Sequence, residues 1–431
     1  MPELRVAIVG AGVIGLATAY QLARSGTGHQ VTVIDRDPEA DGASTVNAGG
    51  IAVTEVFPAG SPGVWWRAFG WMRDPLGPLS IRAPHALKLL PWLIRFASAS
   101  RAREVERISR AMAALNTRVY DDLVPMLEQV GYGHRLHRKG ALSLYESEAG
   151  YQRDVPEWAC KRSHGIIAED LTAEDARRME PALGPRVHRA VFTPQWSHIE
   201  DPKELMASLR AWLMGHGVTI RRGEVRTIQN RGAKLYLQVV GDDAVSADRA
   251  VVAAGAWSGI LARRLGDRVL LESERGYNTT LPESGIEIRR ELIFAERKFV
   301  ATPLSCGLRI GGAAEFGGLG ASANFQRSQA LVELARQSLP GLRTEGGTVW
   351  AGHRPTTPDS LPVIGPSPHE PSVLYAFGHG HFGLTQAATT GRLIADLIHD
   401  RRPGIDLAPY SIDRFCAPKK IRDGATHVLL H

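Results

Sequence analysis

Cysteine is scarce in this chain, and its scarcity sets the first limits on the chemistry. The 431 residues include three cysteines, Cys160, Cys306 and Cys416, which lie far apart and form no CxxC pair. A disulfide framework, a zinc ribbon or an iron–sulfur cluster held by this chain alone would need more cysteines at closer spacing. The cysteine content excludes these three classes and fits a reducing compartment, so we expect a cytoplasmic protein.

Long apolar runs are also absent. No stretch of 18 consecutive apolar residues occurs, which argues against a transmembrane helix. The first apolar run is interrupted by glycines and follows a start that contains an acid, unlike a secretory signal peptide. We therefore expect neither a membrane span nor a secretory leader. Peripheral contact with the cytoplasmic face of the inner membrane stays open.

Concentrated charge of one sign is missing as well. Lys and Arg number 51 against 45 Asp and Glu, and the formal net charge of +6 is spread along the chain. A nucleic-acid interface usually needs a basic patch or stripe, and a metal site needs closely grouped ligands, neither of which occurs here. The sequence therefore predicts no nucleic-acid partner and no metal.

A glycine motif between two predicted strands is the first positive signal. Residues 5–9 predict a buried strand, and GAGVIG follows with Gly10, Gly12 and Gly15 before a helix and a second strand. In a dinucleotide-binding fold, the first glycine permits the tight turn and the second lets the backbone approach a pyrophosphate. The third lets the helix pack closely on the strand. The pyrophosphate would lie at the helix N-terminus, so the pattern predicts dinucleotide binding.

An acidic residue ends the second strand of this unit. Asp35 lies 20 residues beyond Gly15, where a carboxylate would accept hydrogen bonds from the adenosine ribose. A carboxylate there repels the 2′-phosphate of NADP, although the neighbouring Arg36 weakens this argument. The motif alone leaves NAD and FAD as alternatives.

Two further glycine-rich segments favour FAD. Residues 42–51 contain the small polar residues Ser44 and Asn47 followed by Gly49 and Gly50. Residues 374–398 predict a strand, a glycine-rich turn and an amphipathic helix, and the turn contains Gly378, His379, Gly380, His381 and Gly383. A second helix N-terminus suits a flavin, because the isoalloxazine extends beyond the pyrophosphate and becomes anionic on reduction.

The sequence resembles the FAD-dependent D-amino acid dehydrogenases of the D-amino acid oxidase superfamily. The resemblance rests on VAIVGAGVIGLATAYQLA, ASTVNAGGI, VVAAGAWS, GHRPTTPDSLPVIG and YAFGHGHFGLT, which occur in the family's order along the whole chain. It implies a Rossmann-like α/β domain with non-covalent FAD. It also implies further residues at the cofactor, namely Ile14, Arg36, Val225, Ala254, Gly255, Trp257, Leu384 and Thr385. The superfamily includes enzymes for glycine, sarcosine, glyphosate and cyclic imino acids, so the substrate stays open.

Two interleaved domains are expected. The chain length predicts two to three domains, and 44% hydrophobic residues suffice for a sizeable core. We assign residues 1–85, 188–262 and 348–431 to the FAD-binding domain, and expect the segments at 218–221, near Val225 and at 251–254 to join its sheet. Residues 86–187 and 263–347 would form an α+β substrate-binding domain on an antiparallel sheet.

Two residues are candidates for substrate binding. The resemblance implies that Arg354, in GHRPTTPDSLPVIG, would bind the substrate carboxylate through its two-pronged guanidinium group. The alternative is a structural arginine paired with Asp359. Tyr277, in ERGYN, could donate to the same carboxylate or could pack in the core.

Histidines and tryptophans leave further alternatives open. Acid–base chemistry is one alternative for His353, His379 and His381, although we favour His379 and His381 as residues that line the isoalloxazine edge. His198 could be either a structural residue or a ligand. Trp65, Trp66 and Trp71, with Pro91, Trp92, Leu93 and Arg95, could contact a membrane interface, although we favour core packing.

The predicted reaction is FAD-dependent oxidation of a D-amino acid or cyclic D-imino acid, with D-proline or D-hydroxyproline as the suggested substrate. Hydride would pass from Cα to flavin N5, and the electrons would pass to a quinone or electron-transfer chain, directly or through a partner subunit. The alternatives are an oxygen-using oxidase of glycine or sarcosine type and a flavin subunit active only in a hetero-oligomer.

Overall fold

Twenty-one strands are present in the described part of a computed structural model, which covers residues 3–64, 76–232 and 234–416. In chain order they are β1 (Arg5–Val9), β2 (Gln30–Asp35), β3 (Gly50–Ile51), β4 (Leu79–Ile81), β5 (Leu136–His137), β6 (Ala141–Tyr145), β7 (Glu169–Thr172), β8 (Arg189–Thr193), β9 (Ser197–Ile199), β10 (Thr219–Arg222), β11 (Val225–Asn230), β12 (Leu235–Val239), β13 (Val245–Ala247), β14 (Arg249–Val252), β15 (Glu272–Leu281), β16 (Glu291–Phe294), β17 (Phe299–Leu304), β18 (Gly307–Phe316), β19 (Thr348–Thr356), β20 (Val363–Pro366) and β21 (Val373–Phe377).

Ten α-helices occur in the same ranges. They are α1 (Val13–Ala23), α2 (Ala83–Ala99), α3 (Ala102–Asn116), α4 (Val119–Gln129), α5 (Glu148–Ser163), α6 (Ala173–Met179), α7 (Pro202–Gly215), α8 (Ser258–Arg264), α9 (Gln326–Ser338) and α10 (Gly383–Ile398). The helix α7 begins at Pro202, because the Asp201 side chain accepts a hydrogen bond from the Lys203 amide and Pro202 occupies the first turn.

A six-stranded sheet in the order β10-β2-β1-β14-β21-β20 supports the glycine motifs. All neighbouring pairs are parallel except β20 and β21. The strand β1 is apolar on both faces and lies inside the sheet, as expected for a central parallel strand. Because β1 and β21 run parallel on either side of β14, the helices that follow them begin at the same edge of the sheet.

A nine-stranded sheet forms the second layer of the molecule. Its order is β19-β15-β18-β17-β16-β6-β8-β7, with β4 paired to β18. Most of its pairs are antiparallel, and the mixed α/β fold predicted from the sequence is confirmed. Two three-stranded sheets, β11-β12-β13 and β3-β9-β5, complete the topology.

The segment near Val225 differs from the prediction. Instead of joining the six-stranded sheet, it starts β11, which pairs antiparallel with β12. The strands β11, β12 and β13 are consecutive in the chain and pair with one another antiparallel, so this segment forms its own small sheet. The strands predicted at 218–221 and 251–254 do join the parallel sheet, as β10 and β14.

All six strands of the parallel sheet fall within the ranges assigned to the FAD-binding domain. The strands β4, β8 and β19 also fall there in sequence but belong to the nine-stranded sheet. The division into two domains stays a prediction. Among the helices of the described ranges, none combines the length and the hydropathy that a membrane span requires.

The helices α1 and α10 pack directly against each other beneath the parallel sheet. A Cβ atom on Gly391 would lie 2.6 Å from the Ala17 carbonyl oxygen, so the two helix backbones are in close contact. Apolar residues of both helices join one buried cluster with the sheet. This packing fixes the two helix N-termini relative to each other.

Candidate active site

The glycines of the first turn have two different surroundings: Gly10 and Gly15 are packed against backbone, and Gly12 is next to open space. Gly10 has a φ of +114°, and a side chain there would overlap the Ala253 carbonyl. A side chain on Gly15 would overlap the Gly10 carbonyl. A Cβ on Gly12, by contrast, would meet only the Ser44 hydroxyl, at 3.1 Å. Gly10 and Gly15 are therefore required by the fold, whereas Gly12 leaves room for a ligand.

Asp35 holds the backbone of this turn. Its carboxylate accepts hydrogen bonds from the Ala11 amide at 2.8 Å and from the Asp37 amide at 2.9 Å. Each carboxylate oxygen can accept a further bond, so a ribose contact is still possible. The neighbouring Arg36 lies over the Trp257 ring, 3.8 Å from its centroid. Asp35, Arg36 and Trp257 together contribute an acid, a base and an aromatic ring to the cavity lining.

The loop at 42–51 is tied to the protein by its own polar groups. The Ser44 hydroxyl accepts from the Val13 amide at 2.9 Å, and the Asn47 amide group bonds the backbone of Ser44 and Gly49. A side chain at Gly50 would overlap the carboxyl group of Glu291, which occupies that space. Ser44 and Asn47 thus shape the loop, and the loop backbone faces the cavity.

The second glycine turn joins β21 to α10. Gly378 has a φ of +85°, and a short helical turn at Gly380–Phe382 precedes α10. The ring of His379 is buried, with Nε2 2.9 Å from the Thr390 hydroxyl, and Nδ1 has no hydrogen-bond partner among the described residues. Burial lowers the His379 pKa to about 3, so this ring is neutral.

One cavity of about 1220 Å³ brings the predicted residues together. Arg354, Tyr277 and nearly all of the predicted cofactor residues line it. The two exceptions lie directly behind the lining: Gly15 packs on Gly10, and the Thr385 hydroxyl accepts from the Ala52 amide at 2.9 Å. The sequence prediction therefore selected residues that surround a single space.

This space fits an extended dinucleotide such as FAD. It reaches the N-terminus of α1 at Gly12 and the N-terminus of α10 at Gly383, and both ends suit negative charge. Gly12 is free of protein backbone contacts where a pyrophosphate would approach. Asp35 lines the cavity beside the first glycine turn, where a ribose would be held. The residues present therefore fit the cofactor.

Arg354 lies in the cavity wall and is paired with Glu274, not with Asp359. Its Nη1 donates to Glu274 Oε1 at 3.0 Å and to the Ala313 carbonyl at 2.8 Å. Asp359 is paired instead with Arg414, at 2.9 Å. The alternative of an Arg354–Asp359 pair is therefore wrong. The Arg354 side chain is 23% exposed, so part of the guanidinium still faces the cavity.

The register of β15 and β19 explains the position of this pair. Glu274 and Arg354 are directly opposite each other across the two antiparallel strands. The guanidinium lies across Gly276, and a side chain on that glycine would overlap it. A cross-strand ion pair over a glycine therefore fixes the direction of Arg354.

Tyr277 is more deeply buried than a substrate-binding role requires. It is 1% exposed, and its hydroxyl donates to Glu315 at 3.1 Å and accepts from the Asn324 amide at 3.0 Å. Its ring belongs to the apolar core of the larger sheet. These contacts favour the core-packing alternative. A role of Tyr277 in substrate binding stays a prediction.

Glu274 and Glu291 were not recognised in the sequence. Glu274 accepts hydrogen bonds from His381, Arg354 and Thr356. Burial alone would raise its pKa, but His381 and Arg354 outweigh burial and lower the pKa to about 2. The alternation of Glu272, Glu274 and Gly276 on one strand face was the signal that could have indicated it.

Glu291 is a second buried acid in the lining of the cavity. Its Oε2 accepts from the Trp196 indole at 2.8 Å. Burial raises its pKa to about 8, with a further increase from the nearby charge of Glu55, so Glu291 carries a proton at neutral pH. No sequence pattern marked this residue, because its neighbours come from distant segments.

Two of the remaining candidates that the structure describes, His198 and Trp92, are buried. His198 is buried in β9, and burial lowers its pKa to about 4. Trp92 is buried, stacks on Phe96 at 5.2 Å and donates to the Thr356 carbonyl, as the core-packing alternative expects. Trp65, Trp66 and Trp71 lie outside the described residues.

Comparison with known proteins agrees with this geometry. Residues 5–397 match the family described as FAD dependent oxidoreductase. A D-amino-acid oxidase of Bradyrhizobium diazoefficiens is 35% identical over 429 residues, covering 96% of this chain and all of that protein. A D-amino acid dehydrogenase of Dechloromonas aromatica is 31% identical over 412 residues, covering 93% and 98%.

Solved structures share the fold. Glycine oxidase from Geobacillus kaustophilus superposes with a TM-score of 0.72 at 23% identity, covering 96% of this chain and 99% of that one. Iminodiacetate oxidase from Chelativorans sp. gives 0.71 at 22% identity, covering 94% and 98%. At these identities the likeness concerns architecture.

Proposed function

Because the chain belongs to the family of FAD-dependent oxidoreductases, we propose that it oxidises a D-amino acid or a cyclic D-imino acid. The observation that carries the proposal is the position of Arg354, a cation in the wall of the cavity that the glycine turns border. The relatives named above as D-amino acid oxidase and dehydrogenase support the substrate class.

The protein's own residues would mainly bind and orient. Arg354 would hold the substrate carboxylate, and its direction is set by Glu274 and Gly276. When bound, FAD supplies the acceptor for the hydride from the substrate Cα. The apolar and aromatic lining, including Trp196 and Phe299, would exclude water from the reacting atoms.

Anaerobic reduction of the flavin tests the proposal. The FAD-loaded protein is mixed without oxygen with a panel of D-amino acids, D-proline, D-hydroxyproline, sarcosine and glycine, and the loss of flavin absorbance is followed. We expect bleaching by at least one D-amino or D-imino acid and none by its L-enantiomer. Bleaching by glycine and sarcosine alone would support the alternative substrate class.

The electron acceptor distinguishes two versions of the enzyme. We propose a dehydrogenase that passes electrons to a quinone or an electron-transfer chain; the oxygen-using oxidase is the second candidate, since relatives carry both names. Hydrogen peroxide formed in air at the rate of substrate consumption would favour the oxidase. Dye reduction by the chain purified alone would exclude a subunit that is active only with a partner.

Contact with a membrane surface is the remaining part of the proposal. The helix α2 exposes Leu87 (85%), Leu90 (50%) and Ile94 (63%) on one face, and Lys88 is exposed beside them. An apolar face with basic neighbours suits an anionic bilayer, where a quinone would be reached. Cosedimentation with anionic vesicles should be lost in Leu87→Glu/Ile94→Glu, with Met214→Glu as an exposed control on α7.

A further inference from the structure

An amino acid substrate must lose a proton from its ammonium group before the nitrogen lone pair can stabilise an imine. We propose that His381 accepts this proton and that Glu274 orients His381 and stabilises the imidazolium that forms. The inference rests on the proposed function, since it needs a substrate amine in the cavity.

The geometry places the proton acceptor beside the carboxylate anchor. Glu274 Oε1 lies 2.6 Å from His381 Nε2 and 3.0 Å from Arg354 Nη1. A single oxygen atom therefore holds both side chains, and both line the cavity. In an α-amino acid the carboxylate and the amine are attached to the same carbon. A substrate held by Arg354 would therefore bring its amine close to His381.

The protonation state of Glu274 sets the role of each ring nitrogen. The Arg354 guanidinium, 3.0 Å from Glu274 Oε1, lowers the pKa of that carboxyl group whatever the charge of His381, so Glu274 is ionised and can only accept hydrogen bonds. His381 Nε2 must therefore carry a hydrogen, and in the neutral ring this leaves a lone pair on Nδ1. In the step, the substrate N–H bond breaks and an Nδ1–H bond forms, while the bonding electron pair stays on the substrate nitrogen. The charge on Glu274 stabilises the resulting cation, as the acid does in a catalytic triad.

The other histidines at the cavity lack this arrangement. The ring of His353 is held by the Ser273 hydroxyl at 2.6 Å, and burial together with Arg275 and Arg36 lowers its pKa to about 4. His379 is fully enclosed. Among the described cavity-lining histidines, His381 is the one paired with a carboxylate, and its side chain is 53% exposed.

Two charged side chains, Glu274 and Arg354, lie next to His381. From β15 it faces Glu274, and from β19 it faces Arg354 through the shared oxygen. Thr356 donates to the other oxygen of Glu274 at 3.2 Å. One cation and one anion therefore lie next to the ring, and the substrate carboxylate would add a second anion on Arg354.

The test compares flavin reduction by the best D-amino acid across pH in the wild type, His381→Asn, His381→Gln and Glu274→Gln. We expect both His381 variants to reduce flavin about 100-fold more slowly at neutral pH, within the usual range for a lost general base. The deficit should shrink above the pKa of the free substrate amine, where the amine arrives unprotonated. Added imidazole should restore part of the rate.

Two controls separate a proton role from a structural one. Propionate has the carboxylate but no amine, so its dissociation constant should stay within about threefold in both His381 variants and rise in Arg354→Ala. His188 lies beside Glu148 on the exposed surface, at 3.5 Å, and His188→Asn removes a comparable pair outside the cavity lining. We expect that variant to match the wild type at every pH.

The outcomes distinguish the inference from the proposed function. If wild-type flavin is reduced and His381→Asn shows the same rate and pH profile, the inference is wrong and the proposed function stands. If the deficit is equal at all pH values and imidazole does not rescue it, His381 has only a structural role. If no amino acid reduces the wild type, the proposed function is overturned and the inference with it.

Discussion

At the scale of single residues, a substitution of Gly12 can test ligand binding without disturbing folding. Its Cβ position is free of backbone contacts, whereas a side chain would enter the path of a pyrophosphate. We expect Gly12→Val to keep its melting temperature as the apoprotein within a few degrees but to lose FAD on gel filtration. Gly15→Ala is the comparison, because its side chain would overlap backbone and should destabilise the fold itself. Normal flavin content in Gly12→Val would remove Gly12 from the cofactor site.

The proposed substrate class rests on Arg354. Loss of one partner of a desolvated charge pair costs about 2–5 kcal/mol, so Arg354→Ala should lower kcat/KM by about 30- to 4,000-fold. Arg354→Lys should recover only part, since an ammonium keeps the charge without the two-pronged geometry. Steady-state kinetics at matched FAD content measure both variants. Near-normal efficiency in Arg354→Ala would mean that another group binds the carboxylate.

The buried acid Glu291 should make stability depend on pH. Its folded pKa of about 8 lies above its ordinary value of 4.5, so between these values the folded state keeps a proton that the unfolded chain has released. The free energy of unfolding therefore falls as pH rises through this window and levels off above it. Glu291→Gln cannot ionise and retains an acceptor for Trp196. We expect its melting temperature to fall less than that of the wild type from pH 5 to about pH 9.

The exposed Glu283 provides the matched control, because Glu283→Gln removes a carboxyl group at the surface. Its melting temperature should follow the wild type across the same pH range. Equal slopes for Glu291→Gln and the wild type would show that Glu291 is ionised in the folded protein.

Residues that stand at fixed positions in a local backbone motif could be predicted from the sequence. Residues whose role depends on contacts between strands could not. Gly10 and Asp35 stand at fixed positions around one strand–helix turn, so spacing alone identified them. Glu274 acquires its role from Arg354, 80 residues later, through the register of two strands. Glu291 meets Trp196 across a similar gap. A single sequence contains no register, which is why these acids were missed.

At the scale of elements, the contact between α1 and α10 depends on a missing side chain. Gly391→Ala would bring a methyl group to 2.6 Å from the Ala17 carbonyl, and overpacking of this kind costs about 1–3 kcal/mol. We expect a lower denaturant midpoint and weaker FAD retention, since both helix N-termini would shift. Gly215→Ala, at the open end of α7, should be neutral or slightly stabilising. A neutral Gly391→Ala would show that the helices can separate without cost.

The helices and strands themselves were largely predictable, and their pairing was less so. The sequence located α1 and α10 because each follows a strand and a glycine-rich turn. The segment at Val225 was placed in the wrong sheet, because a short β-branched run fits a parallel or an antiparallel neighbour equally well. Local sequence determines the type of an element, and distant partners determine its sheet.

At the scale of the whole molecule, the attachment of the cofactor can be tested directly. None of the three cysteines lines the described cavity, and we expect FAD to be bound without a covalent link. Acid precipitation should leave a colourless pellet and a yellow supernatant that contains FAD. Yellow colour in the washed pellet would instead indicate a bond between the flavin and a side chain.

The order of strands in the parallel sheet has a consequence for synthesis of the protein. The central strands β1, β14 and β21 come from residues 5–9, 249–252 and 373–377, so the edge that carries both glycine turns is assembled from the whole length of the chain. At roughly 5–20 residues per second, β1 leaves the ribosome tens of seconds before β21 is made. During that interval the nascent chain has an unpaired strand edge and half of a nucleotide cradle. If both glycine turns hold FAD, we expect flavin binding to be a late event, and a chain that ends before α10 would be made without a complete cofactor site.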